Sequence, residues 1–203
     1  MGLYRRRLQP RLLNATMSNA TMRDIRERVC LGLFGDILEV GYGSGLNQPH
    51  LPAAVSSVSA VEPSVLALRL AEKRRSASPV PVTVIGDDAR DIAAPDDEFD
   101  AALCTWSLCG IPDPAAALRE IRRVLKPGGR LHFVEHGLTP DAPVARFQHR
   151  FSRLNQLAAG CVLDLDVPSV FGTSGLTVES IRMYYEASSP KVAGYCYEGR
   201  AVA

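Results

Sequence analysis

Between Asp36 and Glu135, short apolar runs alternate with stretches of helical periodicity, and this alternation restricts the fold more than any other feature of the chain. Residues 37–40, 58–61, 82–85, 99–104 and 130–135 have strand length and strand composition. Helical patterns over 65–75 and 114–125 lie between them. The second starts with Asp113 as N-cap and Pro114 at the first helical position, and Gly128-Gly129 act as stop signals. Its Ala117, Leu118, Ile121, Val124 and Leu125 form one apolar stripe. Strand runs alternating with helical runs are the signature of a parallel α/β sheet, so a doubly wound sheet is expected. After Gly137 the alternation ends. Val144, Phe147, Phe151, Leu154 and Ala158 recur at helical spacing, which predicts an amphipathic helix over 144–158, and 176–185 and 194–202 read as closing strands.

Ahead of the first strand, a helical pattern covers 21–33, and a basic stretch carries Arg5, Arg6, Arg7 and Arg11. Tyr4, Leu8 and Leu12 share a helical face there, although Pro10 should weaken a helix. A helix folded over the domain with its arginines in solvent is preferred to a membrane-surface anchor, which leaves at most a weak peripheral contact. No apolar run reaches the roughly 20 residues of a membrane span. The 203 residues, with 23 basic and 22 acidic side chains, suit a single domain over 1–203 without a bias toward nucleic acid. Within it, 1–35 form a helical cover and 138–175 a lid or acceptor-side insertion. Cys30, Cys104, Cys109, Cys161 and Cys196 form no C-x-x-C pair, so no metal site is expected. An odd cysteine count and no recognisable secretory leader favour reduced thiols and a cytoplasmic location.

Three strand ends carry the chemistry. The strand 37–40 holds Glu39 and runs straight into Gly41-Tyr42-Gly43-Ser44-Gly45-Leu46-Asn47. Glycines at alternate positions leave no side-chain bulk between backbone and ligand. The G-x-G-x-G spacing differs from the G-x-G-x-x-G of dinucleotide sites, and suits an amino-acid zwitterion joined to a nucleoside. About 20 residues on, Glu62 ends the second strand before Pro63, placed to accept the hydroxyls of a ribose. The third strand ends Gly86-Asp87-Asp88-Ala89, where a carboxylate or amide can read an adenine edge. In a doubly wound sheet such carboxyl ends converge on one crevice.

These residues resemble the class I S-adenosylmethionine-dependent methyltransferases. The resemblance extends through 95–100 and Ser107-Leu108-Cys109-Gly110-Ile111-Pro112-Asp113-Pro114. In Arg123-Val124-Leu125-Lys126-Pro127-Gly128-Gly129 and Phe133-Val134-Glu135-His136-Gly137, it is similar to a small bacterial branch related to the thiol-methylating enzymes. It implies a Rossmann-like sheet of seven strands, mostly parallel with an antiparallel last strand. It also implies S-adenosylmethionine as cofactor, with S-adenosylhomocysteine as product. Glu39, Gly41, Tyr42, Gly43, Gly45 and Asn47 would surround the methionine part, Glu62 and Pro63 the ribose, and Asp88 and Ala89 the adenine. Thr105 and Trp106 would lie beside the sulfonium. That branch continues past Gly-Cys with a polar His or Asn and then an Arg. Here Gly160-Cys161 is followed by Val162, Leu163, Asp164, Leu165 and Asp166, so the departure falls on the acceptor side.

A sulfonium is already an activated methyl donor, so alignment matters more than acid–base chemistry. Trp106 could face the cation or pack as a lid aromatic. His136 is the candidate general base, against the commoner structural role of a strand-end histidine. Phe147, Phe151 and Cys109 are candidates for an apolar acceptor pocket, although the same helix stripe would serve a homodimer interface, and a monomer is equally compatible. The expected acceptor is small and fairly apolar, a thiol or other soft nucleophile first. The alternative is C- or O-methylation of a quinone-like or lipid precursor. A non-catalytic cofactor-binding protein is the reading from another class. The glycine spacing counts against an NAD-dependent oxidoreductase, and without an N-P-P-Y run after the fourth strand, methylation of base or amide nitrogens is not expected.

Overall fold

The structure is a computed structural model and describes residues 8–203. Helices α1 (Gln9–Thr16) and α2 (Ala20–Cys30) precede β1 (Gly35–Val40), β2 (Val55–Val61), α3 (Val65–Ala77), β3 (Val82–Gly86) and β4 (Phe99–Thr105). Then come α4 (Pro114–Val124), β5 (Leu125–His136), α5 (Ala142–Ala159), α6 (Val167–Gly172), β6 (Thr177–Tyr185) and β7 (Tyr195–Val202). The strands form one sheet in the order β3-β2-β1-β4-β5-β7-β6. β1 to β5 pair in parallel, and β7 runs antiparallel between β5 and β6. This is the expected Rossmann-like sheet with its antiparallel last strand. The chain leaves β1 toward β2 on one side and later crosses to β4 on the other. The carboxyl ends of β1 and β4 therefore flank the crevice where ligands of such sheets bind.

Local signals set the helix starts. Asp113 accepts from the Ala116 N–H at 2.9 Å, Ser64 from Ala67 at 3.2 Å and Asn19 from Met22 at 3.0 Å. The α4 stripe of Ala117, Leu118, Ile121 and Val124 is fully buried against one sheet face, where Phe133 also meets Phe171 of α6 with ring centroids 4.4 Å apart. The other face packs Ile25, Val29 and Cys30 of α2 on Ile37, Ala101, Leu103 and Val134. Side chains alternate along β1, so Glu39 points to the same side as Ile37, beneath α2.

Pro10 lies in the first turn of α1, where its missing N–H has no helical partner to lose, and Tyr4 of the expected face lies outside the described residues. Two expectations need correction. The helix of 114–125 stops at Val124, and Leu125 already begins β5, with Gly128 at φ +79° inside that strand. The other concerns 144–158, where a helix forms but much of its apolar stripe is exposed, with Val144 and Phe151 only half-buried. Gln148 and Ser152 are the buried residues of α5, whereas Phe147 is 43% and Leu154 61% exposed. The loops beneath α5 present bare backbone groups, and Gln148 satisfies them. Its Oε1 accepts from the Thr139 N–H at 3.0 Å, and its Nε2 donates to the carbonyls of Gly137 at 3.1 Å and Val192 at 3.2 Å.

Candidate active site

The three glycines after β1 all take positive φ, +76° at Gly41, +57° at Gly43 and +72° at Gly45, but for different reasons. A Cβ on Gly41 would come 2.5 Å from Ser107 Cβ, and one on Gly45 would come 2.9 Å from the Tyr42 hydroxyl. These two glycines let protein pack against protein. A Cβ on Gly43 would meet only the Gly41 carbonyl oxygen, at 3.8 Å, so its far side is open. Tyr42 turns its ring away from that opening and packs with Ala60 and Ala71 under α3, its hydroxyl donating to Gln48 Oε1 at 3.3 Å.

Glu62 closes the turn from β2. Its two oxygens accept from the Gly43 and Ser64 N–H groups, each at 2.7 Å, while burial pushes its carboxyl up against those bonds. Pro63, after it, is exposed. At the third strand end, Arg90 holds the Asp88 carboxylate with two bonds, at 2.9 and 2.7 Å, and pulls it down to about 2. The Asp88 carboxylate is thus committed to its neighbour. Ala89, next to it, is buried.

Beneath α2 lies a group of buried polar atoms that the protein leaves unpaired. Asn47 donates to Glu39 Oε1 at 2.8 Å and to Thr105 Oγ1 at 2.9 Å, which ties the ends of β1 and β4 together. Glu39 Oε2, Asn47 Oδ1 and the Nε of Arg26 have no hydrogen-bond partner among the described residues. Burial raises the Glu39 carboxyl to about 8, opposed by the Asn47 hydrogen bond and the Arg26 charge. Burial likewise lowers the Arg26 guanidinium to about 10. An unpartnered buried donor or acceptor costs about 1–3 kcal/mol, so three of them together call for an ordered water or a bound polar group.

Trp106 stands at φ +50°, rare for a residue with a side chain, and is held there by its N–H donating to the Val134 carbonyl at 2.7 Å. Arg26 covers its ring at 4.7 Å, so the cation against this indole is the protein's own. Glu135, fully buried on β5, fixes the turn that follows. Its Oε1 accepts from the Ser107 N–H at 2.9 Å, the Leu108 N–H at 3.0 Å and the Cys104 thiol at 3.3 Å. His136 lies 5.9 Å from the Trp106 ring, its Nε2 sealed and without a partner among the described residues, and burial lowers it to about 4. It is neutral at physiological pH and a weak base. Cys109 is buried and meets the half-buried Cys161, whose thiol it lowers by hydrogen bonding. The Val162 N–H donates to the Cys109 carbonyl at 2.9 Å. Phe147 and Phe151 stack on each other at 4.3 Å, with Phe147 facing outward rather than lining a closed pocket.

The strand ends therefore bring together Glu39, Gly43, Asn47, Glu62 and Thr105. Tyr42 is set apart, and Asp88 is tied to Arg90. Arg26 and Glu135 belong to the same region; no motif marks Arg26, and Glu135 falls in the Phe133–Gly137 run without a role read for it there. Arg26 is an unusual charge on the buried face of α2, with Met22, Ile25 and Val29 as its neighbours on that face.

Residues 38–133 match a family model described as a methyltransferase domain. A solved S-adenosylmethionine-dependent methyltransferase of Thermotoga maritima superposes with a TM-score of 0.68 at 19% identity, covering 95% of this chain and 93% of that one. The matched segment is similar to a methyltransferase domain, and the chain as a whole shares the fold of solved S-adenosylmethionine-dependent methyltransferases. Nearer in sequence is Thiol S-methyltransferase TMT1B of Homo sapiens, 36% identical over 109 residues, 51% of this chain and 43% of that protein. Demethylmenaquinone methyltransferase of Clavibacter sepedonicus is 36% identical over 110 residues, 54% of this chain and 44% of that protein. The chain spans about half the length of the curated relatives it matches.

Proposed function

We propose that the protein transfers the methyl group of S-adenosylmethionine to a small, fairly apolar acceptor, a thiol or other soft nucleophile first. The observation that carries this reading is the open side of Gly43 next to unpaired Glu39 Oε2, Asn47 Oδ1 and Arg26 Nε. An amino-acid zwitterion fits that donor set, its ammonium toward Glu39 and Asn47 and its carboxylate toward Arg26. Glu62, whose oxygens keep free lone pairs, is the ribose acceptor, and the Ala89 corner receives the adenine. When bound, the cofactor supplies a methyl group on a cationic sulfur that departs as a neutral thioether. Thr105 and Trp106 then border the reacting centre, and Cys109 and Cys161 stand on its acceptor side.

The state of His136 favours a thiol. A neutral, sealed imidazole lowered to about 4 gives little help in removing a proton from a phenol or carbon acid. A thiol near pKa 8.5 ionises partly by itself. Calorimetry should show S-adenosylmethionine and S-adenosylhomocysteine binding, with Glu62→Ala weakening both at least about tenfold. A radiolabelled-methyl assay should then label small thiols ahead of phenols and quinones. NAD binding in place of the sulfonium would overturn the cofactor assignment. Intact cofactor binding with no label on any acceptor would leave a binding protein rather than an enzyme.

A further inference from the structure

We infer that the outward faces of α1 and α5 form a docking surface for an anionic membrane. The starting observation is the reversed amphipathicity of α5. Leu154 is 61% and Leu157 71% exposed, while Gln148 and Ser152 are buried. On a helix, 150, 154 and 157 share one arc, so Arg150 interleaves with the two leucines. α1 does the same with Leu8 (57% exposed), Arg11 and Leu12 (55% exposed). The two helices are neighbours, since Gln9 donates to the Ala159 carbonyl at 2.5 Å.

Charge decides which partner this face suits. The stretches 8–16 and 142–159 hold four arginines and no carboxylate side chain, in a chain whose net charge is only +1. None of Arg11, Arg146, Arg150 and Arg153 forms an ion pair with a described residue, whereas Arg28, Arg90, Arg123 and Arg130 all do. A second copy placed face to face would set arginine against arginine, and like charges opposed in this way are repulsive. Exposed leucines between arginines instead match an interface with acyl chains below and anionic headgroups above. No helix among the described residues is long and apolar enough to cross a membrane, so the contact is peripheral. The chain runs from the end of α5 directly to Cys161 and its contact with Cys109, so the surface borders the acceptor side of the crevice.

The test is co-sedimentation of the full chain with vesicles of phosphatidylcholine alone or mixed with phosphatidylserine. The protein should pellet with the mixed vesicles, be released by salt, and stay free of the neutral ones. Arg150→Glu with Arg153→Glu should weaken binding by roughly tenfold or more, taking about fivefold per arginine near a charged surface. Leu154→Asp with Leu157→Asp should abolish it. Both pairs are exposed, so melting temperature and S-adenosylhomocysteine affinity should stay at wild-type values. Equal binding to both vesicle types, binding to neither, or variants that pellet like the wild type would overturn the inference. So would a concentration-dependent dimer in sedimentation velocity that the leucine pair abolishes, because the face would then belong to a second copy.

Discussion

Gly41 and Gly43 separate packing from ligand contact, and alanine at each should give opposite phenotypes. Gly43 at φ +57° has open space where a Cβ would go. Gly43→Ala therefore loses little more than the left-handed-region preference, about 1–2 kcal/mol. For a chain of this size, each kcal/mol lowers Tm by roughly 2–4 °C. Gly41→Ala meets the same backbone strain and in addition drives a methyl into Ser107. Ser107 cannot easily retreat, because its N–H donates to Glu135 at 2.9 Å and its hydroxyl to the Thr105 carbonyl at 3.1 Å. Overpacking of this kind adds about 1–3 kcal/mol, so the loss of Tm should be about twice as large.

Binding should rank the other way. The Gly43 methyl enters the space proposed for the amino-acid end of the cofactor, where a loss of about 2 kcal/mol would be roughly thirtyfold in Kd. The measurements are differential scanning fluorimetry for Tm and calorimetric titration with S-adenosylhomocysteine on both variants. A Gly43→Ala protein that melts a few degrees low yet binds the nucleoside within about twofold of wild type would refute the reasoning. The cofactor would then not cross that turn.

Three further outcomes follow from the buried carboxylates and thiols. Glu39 is raised to about 8 by burial, so it is mostly protonated at neutral pH until a cation arrives. Binding of an ammonium-bearing ligand favours the ionised form. S-Adenosylhomocysteine affinity should therefore rise with pH toward about 8 and level off above it, by at most about tenfold per pH unit, while 5′-methylthioadenosine, which has no amino acid, shows a flat profile; two flat profiles would remove Glu39 from the site. Glu135→Leu strands the Ser107 and Leu108 N–H groups at about 1–3 kcal/mol each, so urea unfolding should show a loss of about 2–6 kcal/mol. Glu135→Gln keeps an acceptor oxygen and should lose far less, and a leucine variant as stable as the glutamine one would refute the anchoring role. Under native iodoacetamide labelling, half-buried Cys161, lowered by its hydrogen bond from Cys109, should react before Cys30, Cys104 and Cys196, which burial raises; peptide mass mapping with any of those three leading would show the contact to be wrong.

The fold was legible because its signals are local and repeated. Asp113-Pro114 and Ser64 start helices by satisfying N–H groups within three residues, and the apolar runs have strand length, so a parallel α/β sheet followed from alternation, whereas its seven strands and antiparallel last strand came from the family resemblance. The convergence of Gly43, Glu62 and Asn47 was also legible, since strand ends in a parallel sheet share one edge. The individual partners were not. That Asp88 spends its carboxylate on Arg90, or that Tyr42 turns under α3, depends on rotamers and near neighbours that spacing does not encode. Arg26 was missed because a single arginine on a helix normally lies in solvent. Only the structure puts it over Trp106 and near Glu39.

The reversal of α5 shows why the acceptor side reads less well than the cofactor side. Periodicity reveals that an apolar stripe exists but does not say which way it faces. In α4 the stripe meets a sheet whose backbone groups are already paired, so burial of apolar surface decides the orientation, at about 1.5–3 kcal/mol per large side chain. Beneath α5 lie loop segments around Gly137, Thr139 and Val192 whose N–H and C=O groups lack sheet partners. Turning the apolar stripe inward would leave three such groups unpaired, at about 1–3 kcal/mol each. Burying Gln148 recovers them and leaves Phe147, Leu154 and Leu157 exposed. At those magnitudes the apolar burial forgone is of the same order as the three recovered hydrogen-bonding groups. A partner that covers the leucines therefore shifts the balance decisively toward the orientation seen here, and the arginines between them favour an anionic one.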